Sequence, residues 1–99
     1  MNQWLYVMML EKTKTYNKLN KAAVVSHVDN LRKLDDEGKL ELCGPFKGYP
    51  GVAGMFILRA DSYEEAESLC KEEPLVVGGY VTFTLHALQV ANRENDYLL

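Results

Sequence analysis

Residues 52–70 read VAGMFILRADSYEEAESLC, and this stretch joins an apolar strand to an amphipathic helix. Residues 52–60 form an apolar run with Met, Phe, Ile and Leu at its centre, which predicts a strand. Ser62 and Glu65 have the spacing of a capping box, which predicts that a helix begins there. Pro74 is expected to end that helix, because the residue before a proline is pushed out of the helical region. The apolar face of the helix consists of Tyr63, Ala66, Leu69 and Cys70.

The hairpin partner of this strand lies immediately upstream. Residues 39–46 alternate between apolar and polar side chains, which predicts a strand. Residues 46–51 contain two glycines and a proline, which indicates a turn. The two strands are therefore expected to pair as a hairpin.

A second strand and helix unit precedes the hairpin. Residues 4–10 are an apolar run that predicts a buried strand, and residues 11–20 form a polar loop. A helix begins at Lys21; Asn20 is a candidate N-cap, although Ser26, further in, is the better capping residue type. Gly38 is expected to end this helix. Its apolar stripe consists of Ala23, Val24, Val28, Leu31 and Leu34.

The complete order is strand, helix, strand, strand, helix, strand, with residues 80–90 as the last strand. This order predicts an α+β fold, a ferredoxin-like βαββαβ sandwich with both helices on one face of an antiparallel sheet. The other sheet face is too apolar to leave in water, so pairing of two sheets as a homodimer, a dimeric αβ barrel, is expected. We predict a domain over residues 1–91 and a C-terminal tail over residues 92–99.

Composition narrows the function classes. The formal net charge is −3 and no basic stripe occurs, so nucleic-acid binding is not expected. No apolar run approaches the length of a membrane span, and a signal peptide pattern is missing, so we expect a cytoplasmic protein without membrane contact. Cys43 and Cys70 fit no zinc or redox motif and are predicted to be reduced thiols. No metal or cofactor motif is found, so neither is expected.

Two ionisable residues fall on helix faces that point toward the sheet. His27 lies between Leu31 and Leu34 on the helical wheel of the first helix, where a core histidine and a catalytic one are both consistent with the sequence. If the second helix extends to Glu73, the helical periodicity places this side chain on the buried face of the helix. If the helix ends earlier, Glu73 is a surface carboxylate in the acidic run Glu72–Glu73. Since the two helices lie side by side in this fold, His27 and Glu73 are predicted to meet as a histidine–carboxylate pair.

Further candidates surround this pair. Gly44 and Pro45 form a tight turn at a strand end, where glycine would permit close approach of a ligand to the backbone; a plain structural turn is the alternative. Tyr6 is a candidate to line the same cleft or simply to pack. His86 lies on the polar face of the last strand and is interpreted as a surface or interface residue.

This arrangement resembles the YCII-related proteins. The similarity lies in His27, in the run Asp36–Leu40 and in the Gly44–Pro45 turn, and spans about residues 4–88. The second half of the resemblance rests on Ser62, Glu65, Ala66 and Pro74. It implies a dimeric ferredoxin-like αβ barrel with a His–Asp dyad in a cleft, and the family includes a dehydrochlorinase acting on a chlorinated hydroxyquinol. By position the dyad is His27 and Glu73, so this chain has Glu where the family has Asp.

Two functions are consistent with these residues. The first is a cofactor-independent lyase or isomerase on a small cyclic or aromatic molecule, in which His27 moves a proton, Glu73 orients it, and backbone near Gly44 contacts the substrate. The second is a non-catalytic dimeric module that binds a small ligand or another protein, with His27 and Glu73 as a buried structural pair. The sequence leaves open whether the protein is an enzyme.

Overall fold

Alternating strands and helices build the fold in the predicted order. The computed structural model describes residues 3–99, and across them four strands form one sheet in the order β2-β3-β1-β4 with antiparallel neighbours. Two 3-10 turns, Tyr16–Lys18 and Arg93–Leu98, lie outside these main elements. The elements are β1 (Trp4–Lys12), α1 (Lys21–Asp36), β2 (Leu40–Pro45), β3 (Val52–Leu58), α2 (Tyr63–Glu72), α3 (Pro74–Val77) and β4 (Val81–Gln89). The ferredoxin-like α+β prediction is therefore confirmed.

The helix boundaries follow from local capping. The Asn20 side chain accepts a hydrogen bond from the Ala23 backbone N–H at 2.9 Å, so Asn20 and not Ser26 is the N-cap of α1. The Ser62 hydroxyl accepts from the Glu65 backbone N–H at 3.0 Å and caps α2 in the same way. Gly38 follows α1 with φ of +72°, a left-handed conformation that favours glycine and turns the chain toward β2.

Some expectations from the sequence are wrong in detail. β1 continues two residues beyond its predicted end, because Lys12 still pairs with Val81 on β4. Val24 was expected on the buried stripe of α1 but is 42% exposed, since it lies at the margin of the face that meets the sheet. Tyr63, in the first turn of α2, is 40% exposed, but its ring packs against Tyr6 and its hydroxyl donates to the Leu85 carbonyl oxygen, so it does lie on the predicted apolar face.

One face of the sheet and the three helices enclose the core. Alternate residues of β1 point toward the helices, and the strands beside it contribute in register. Cys70 and Leu34 close this layer from the helical side. The buried apolar strand residues are Tyr6, Met8 and Leu10 of β1, Ala53, Phe56 and Leu58 of β3, and Val81 and Leu85 of β4.

The opposite face of the sheet carries no helix among the residues described. Val7 lies at its centre, opposite Ile57 on β3 and His86 on β4. Leu42 and Leu88 extend the apolar surface outward and are 55% and 46% exposed. This open face, which we call the outer sheet face, is defined by Leu5, Val7, Met9, Leu42, Met55, Ile57 and Leu88.

A close approach of two strands depends on Gly54. A Cβ atom at this position would collide with the carbonyl oxygen of Gly44 and would lie 2.9 Å from the Cα of Pro45. Because both neighbours are backbone atoms, any side chain here would push β2 away from β3. Gly54 thus sets the position of the strand end that carries Gly44 and Pro45.

The termini add little to the core. Within residues 3–99, every helix is too short or too polar to cross a lipid bilayer. The segment after residue 91 forms a 3-10 turn capped by Asn92, and the side chains of Tyr97 and Leu99 in it are exposed. The division between a domain of residues 1–91 and a tail of residues 92–99 stays a prediction. Residues 1 and 2 of that domain lie outside the described residues.

Candidate active site

Glu73 occupies the junction between α2 and α3. Its backbone is extended, with φ of −63° and ψ of 125°, because the following Pro74 disfavours a helical conformation. Glu73 has therefore left the helix, and the helical phase that predicted its burial does not apply to it. Its side chain is nevertheless fully buried, and it is the one buried charged residue among residues 3–99.

Three donors satisfy the Glu73 carboxylate. Oε2 accepts the backbone N–H of Leu75 at 2.6 Å, which caps α3. Oε1 lies 2.7 Å from His27 Nδ1 and accepts Asn30 Nδ2 at 3.2 Å. Since both oxygens already accept from other donors, the pattern is that of an ionised carboxylate, which only accepts. Glu73 thus joins α1 to α2 and α3.

The contact with Glu73 fixes the orientation of His27. Because the carboxylate accepts, Nδ1 donates to Glu73, which leaves Nε2 as the ring nitrogen that Glu73 does not engage. The ring packs on Phe56, with centroids 5.8 Å apart and planes tilted by 33°. The His27 side chain is 20% exposed while that of Glu73 is 1% exposed. The ring is therefore reachable, and the acid behind it is not.

His27 borders a cavity of about 350 Å³ between α1 and the sheet. This volume falls in the range of small-molecule sites in proteins. Its polar side chains are Tyr16, His27 and Cys43. Most of the remaining wall is hydrocarbon, contributed by Leu10, Leu19, Leu31, Ala53, Phe56 and Leu75.

The structure brings together most of the residues singled out by sequence. His27 and Glu73 form the expected contact, and Gly44 and Pro45 line the cavity beside His27. Tyr6, by contrast, does not line the cavity. It is buried and packs edge-on against Tyr63, with ring centroids 6.4 Å apart. Its place on β1 is on the helix side, but away from this opening.

Sequence reasoning missed two contributors to the site. Asn30 is one turn from His27 on the same face of α1, and that spacing was the signal that could have found it. Tyr16 comes from the 3-10 turn after β1, in a loop where the sequence indicated packing by Tyr16 and Leu19 but no role in a site. Its ring also receives the Lys12 ammonium, with Nζ 5.0 Å from the centroid.

Both cysteines are free thiols with little acidity. Burial raises the pKa of the Cys43 thiol, and the Asp35 carboxylate raises it further. Burial raises the pKa of Cys70 to about 12, with a smaller contribution from Glu67. Cys43 therefore meets a ligand in the cavity as a neutral thiol at neutral pH. Among residues 3–99, no three His, Cys, Asp or Glu side chains converge in a way that would hold a metal ion.

Comparison with known proteins adds relatives of the same fold. The structure of the 5-chloro-2-hydroxyhydroquinone dehydrochlorinase TftG from Burkholderia phenoliruptrix AC1100, solved in complex with 2,5-dihydroxybenzoquinone, matches with a TM-score of 0.73. The match covers 93% of this chain and 99% of that one, at 17% sequence identity. At that identity the likeness shows the fold alone.

The sequence itself has a nearer relative. YjpA of Bacillus subtilis (strain 168), described as an uncharacterised protein, is 33% identical over 82 residues, which cover 83% of this chain and 91% of YjpA. The model of the YCII-related domain matches residues 4–84, most of the chain. The chain therefore belongs to the YCII-related domain family.

Proposed function

We propose that this protein is a cofactor-independent lyase or isomerase that moves a proton on a small cyclic or aromatic molecule. The observation that carries the proposal is the 2.7 Å contact between His27 Nδ1 and Glu73 Oε1, with the same imidazole lining the cavity. A base at the wall of an apolar pocket, oriented by a buried acid, is the arrangement that general acid–base catalysis requires.

In the proposed reaction His27 is the catalytic residue. Nε2 accepts a proton from an O–H or C–H bond of the substrate, and the bonding electron pair stays on the substrate. The resulting imidazolium is stabilised by Glu73, which also holds the ring in place through Nδ1. In an isomerase the proton then returns to another atom of the same molecule. In a lyase the electron pair expels the leaving group as an anion, and His27 releases its proton to that anion or to water. Backbone at Gly44 and Pro45, which line the same cavity, contacts the substrate.

The structural neighbour supports the choice of substrate class. TftG is named as a dehydrochlorinase of a chlorinated hydroxyhydroquinone and was solved with a dihydroxybenzoquinone. Both molecules are six-membered rings that carry oxygen substituents. A ring of this size is compatible with a cavity of about 350 Å³.

One observation favours the alternative of a non-catalytic binding module. Glu73 also accepts from Leu75 and Asn30, so it has a structural task that is independent of any reaction. In that case the cavity binds its ligand and releases it unchanged. An enzyme and a binding module are therefore distinguished by whether the bound molecule exchanges or loses an atom.

Proton abstraction can be measured without knowledge of the natural reaction. We expect the protein to accelerate hydrogen–deuterium exchange at ring carbons of hydroxyhydroquinone in D2O under anaerobic conditions, followed by proton NMR, and to release chloride from 5-chloro-2-hydroxyhydroquinone. Protection of Cys43 from alkylation, carried out at alkaline pH so that the thiol with its raised pKa forms the thiolate, reports binding separately, because Cys43 lines the cavity. Protection without exchange or chloride release would establish the binding module instead. No protection and no exchange would reject both functions for this ring class.

We also propose that the protein acts as a homodimer through its outer sheet face. In an isolated chain Leu42 and Leu88 are about half exposed on this face, where Leu42 pairs with Ile57 on β3 and Leu88 pairs with Leu5 on β1. An apolar surface of this kind marks an interaction site in soluble proteins. A second copy presents the same surface, so a two-fold pairing covers both.

A lysine at the centre of the outer sheet face tests the dimer. We expect Val7→Lys to shift the sedimentation mass from dimer to monomer, because Val7 would face apolar side chains of the partner. Val77→Lys is the matched control, since Val77 is 72% exposed on α3 and lies away from this face. A wild-type protein that sediments as a monomer at micromolar concentration would contradict the proposal.

A further inference from the structure

We propose that Asn30 is a positioning residue of the site: its amide holds Oε1 of Glu73 where His27 Nδ1 meets it. Within the part of the chain that the structure describes, Asn30 does not line the cavity, so it acts through the carboxylate and not on a ligand. This role rests on the proposed function, because the proton transfer there depends on how Glu73 orients His27. It requires no particular charge on the imidazole, since Nδ1 donates to the carboxylate in either protonation state.

The Glu73 carboxylate needs two fixed contacts to hold its plane. The backbone N–H of Leu75 donates to Oε2 at 2.6 Å and belongs to the first turn of α3. A single contact of this kind leaves rotation about the last side-chain bond open, because the terminal torsion of a glutamate has broad minima. The direction in which Oε1 points is therefore set by what binds Oε1.

Asn30 supplies that second contact. Its Nδ2 donates to Oε1 at 3.2 Å from a half-buried position on α1. Since Leu75 and Asn30 bind different oxygens, the two donors define the carboxylate plane without any contribution from His27. The imidazole then meets an acceptor that is already in place, with Nδ1 2.7 Å from the same Oε1. The carboxylate is thus preorganised by groups that take no part in the chemistry.

The helix backbone fixes the relation between the two side chains that share Oε1. His27 and Asn30 lie one turn apart on the same face of α1, where such pairs are neighbours. Glu73 comes from a separate segment, the α2–α3 junction. An oxygen that accepts from both side chains of one turn is confined to the space between them. Asn30 therefore transmits the position of α1 to Glu73, and Glu73 returns it to the imidazole.

This role predicts an effect on the reaction rate and not on ligand affinity. Packing on Phe56 restrains the plane of the imidazole, whereas the contact with Glu73 sets its rotation within that plane. That rotation aims Nε2 at the substrate, and a misplacement of about 1 Å at a reacting atom can cost about 100-fold in rate. The cavity wall itself does not change when Asn30 is replaced.

The first test is spectroscopic and needs no substrate. A proton held between an imidazole and a carboxylate resonates downfield of the backbone amides, and His27→Gln identifies the signal by its loss. We expect Asn30→Leu to move the Nδ1–H resonance of His27 upfield or to broaden it beyond detection. Leucine fills the volume of the amide but has no donor, so Oε1 is free to rotate away from Nδ1. The ring signals of His86, on the outer sheet face, serve as the internal reference.

The second test separates rate from binding. At saturating hydroxyhydroquinone in D2O, we expect Asn30→Leu to reduce ring proton exchange by about 10- to 100-fold, with the half-saturating concentration within about twofold of the wild type. Absence of exchange in the wild-type protein would reject the proposed reaction for this ring. The Nδ1–H resonance would still decide the role of Asn30.

Matched variants show whether the amide donor is responsible. Asn30→Gln keeps a donor and is expected to recover most of the resonance shift and of the rate. Asp29→Leu makes the same kind of change at the next position of α1, where the side chain is 65% exposed, and is expected to leave both readouts unchanged. Asn30→Ala replaces Asn30→Leu if the leucine variant does not fold. A wild-type Nδ1–H resonance in a folded protein without the Asn30 amide would overturn the proposal, and so would a failure of Asn30→Gln to recover either readout.

Discussion

Replacement of Glu73 by alanine is expected to lower the free energy of unfolding by about 3–5 kcal/mol. The side chain is fully buried and accepts hydrogen bonds from Leu75, Asn30 and His27. Its removal leaves these donors without a partner and opens a void between α1 and the α2–α3 junction. Chemical denaturation of the wild-type and variant proteins at neutral pH measures the difference.

Two further variants separate the causes of this loss. Glu73→Gln keeps the shape but presents an NH2 group where the carboxylate accepts, so about 1–3 kcal/mol is expected. Glu72→Ala removes the neighbouring carboxylate, which is exposed at the end of α2, and is expected to change stability by less than about 0.5 kcal/mol. A Glu73→Ala protein within 1 kcal/mol of the wild type would contradict the role of this carboxylate in joining the helices.

Replacement of His27 by glutamine is expected to reduce the rate of ring proton exchange by about 10²- to 10⁴-fold. Glutamine retains an amide that can donate to Glu73, but it has no basic nitrogen to accept a proton. The fold should persist, because the His27 side chain is partly exposed and Glu73 keeps its other two donors. Kinetics and circular dichroism on the same preparation distinguish loss of chemistry from loss of structure.

The second histidine supplies the matched control. His86 lies on β4, opposite Val7, on the outer sheet face and not in the cavity. His86→Gln is therefore expected to retain the wild-type exchange rate. Equal rates in wild-type and His27→Gln proteins would assign the reaction to another group and remove His27 from the mechanism.

The sequence predicts the fold well because its signals are local. Apolar runs and alternation place the strands, and the caps at Asn20 and Ser62 depend on contacts within three residues. Gly38 and Pro74 likewise act on their immediate neighbours. Such features are determined by short segments, so they can be inferred before any tertiary contact is known.

The candidate site is less predictable because its geometry depends on how distant elements meet. The contact between His27 and Glu73 could be inferred from the side-by-side placement of two helices, but the helical phase assumed for Glu73 is wrong. Its burial comes from the turn that Pro74 imposes. Asn30 acquires its role only once that carboxylate is present beside α1. Tyr6 was predicted to line the cleft and does lie on the helix side of β1, but it does not reach the cavity. The face of a strand can be inferred from sequence, whereas the position of an opening between helix and sheet cannot.

The unequal anchoring of the two cavity walls has a consequence for evolution and for engineering. Glu73 lies at the end of α2 and accepts hydrogen bonds from α1 and α3, so substitutions in that wall of the cavity lower the stability of the fold. Tyr16 and Leu19 come from a connecting segment, and Pro45 precedes a surface turn. Insertions and exchanges in these connections leave the dyad undisturbed. New substrate ranges should therefore arise by diversifying residues 16–19, which exclude the α1 cap Asn20, and residues 46–51, and libraries confined to those loops should yield altered selectivity with few unfolded members.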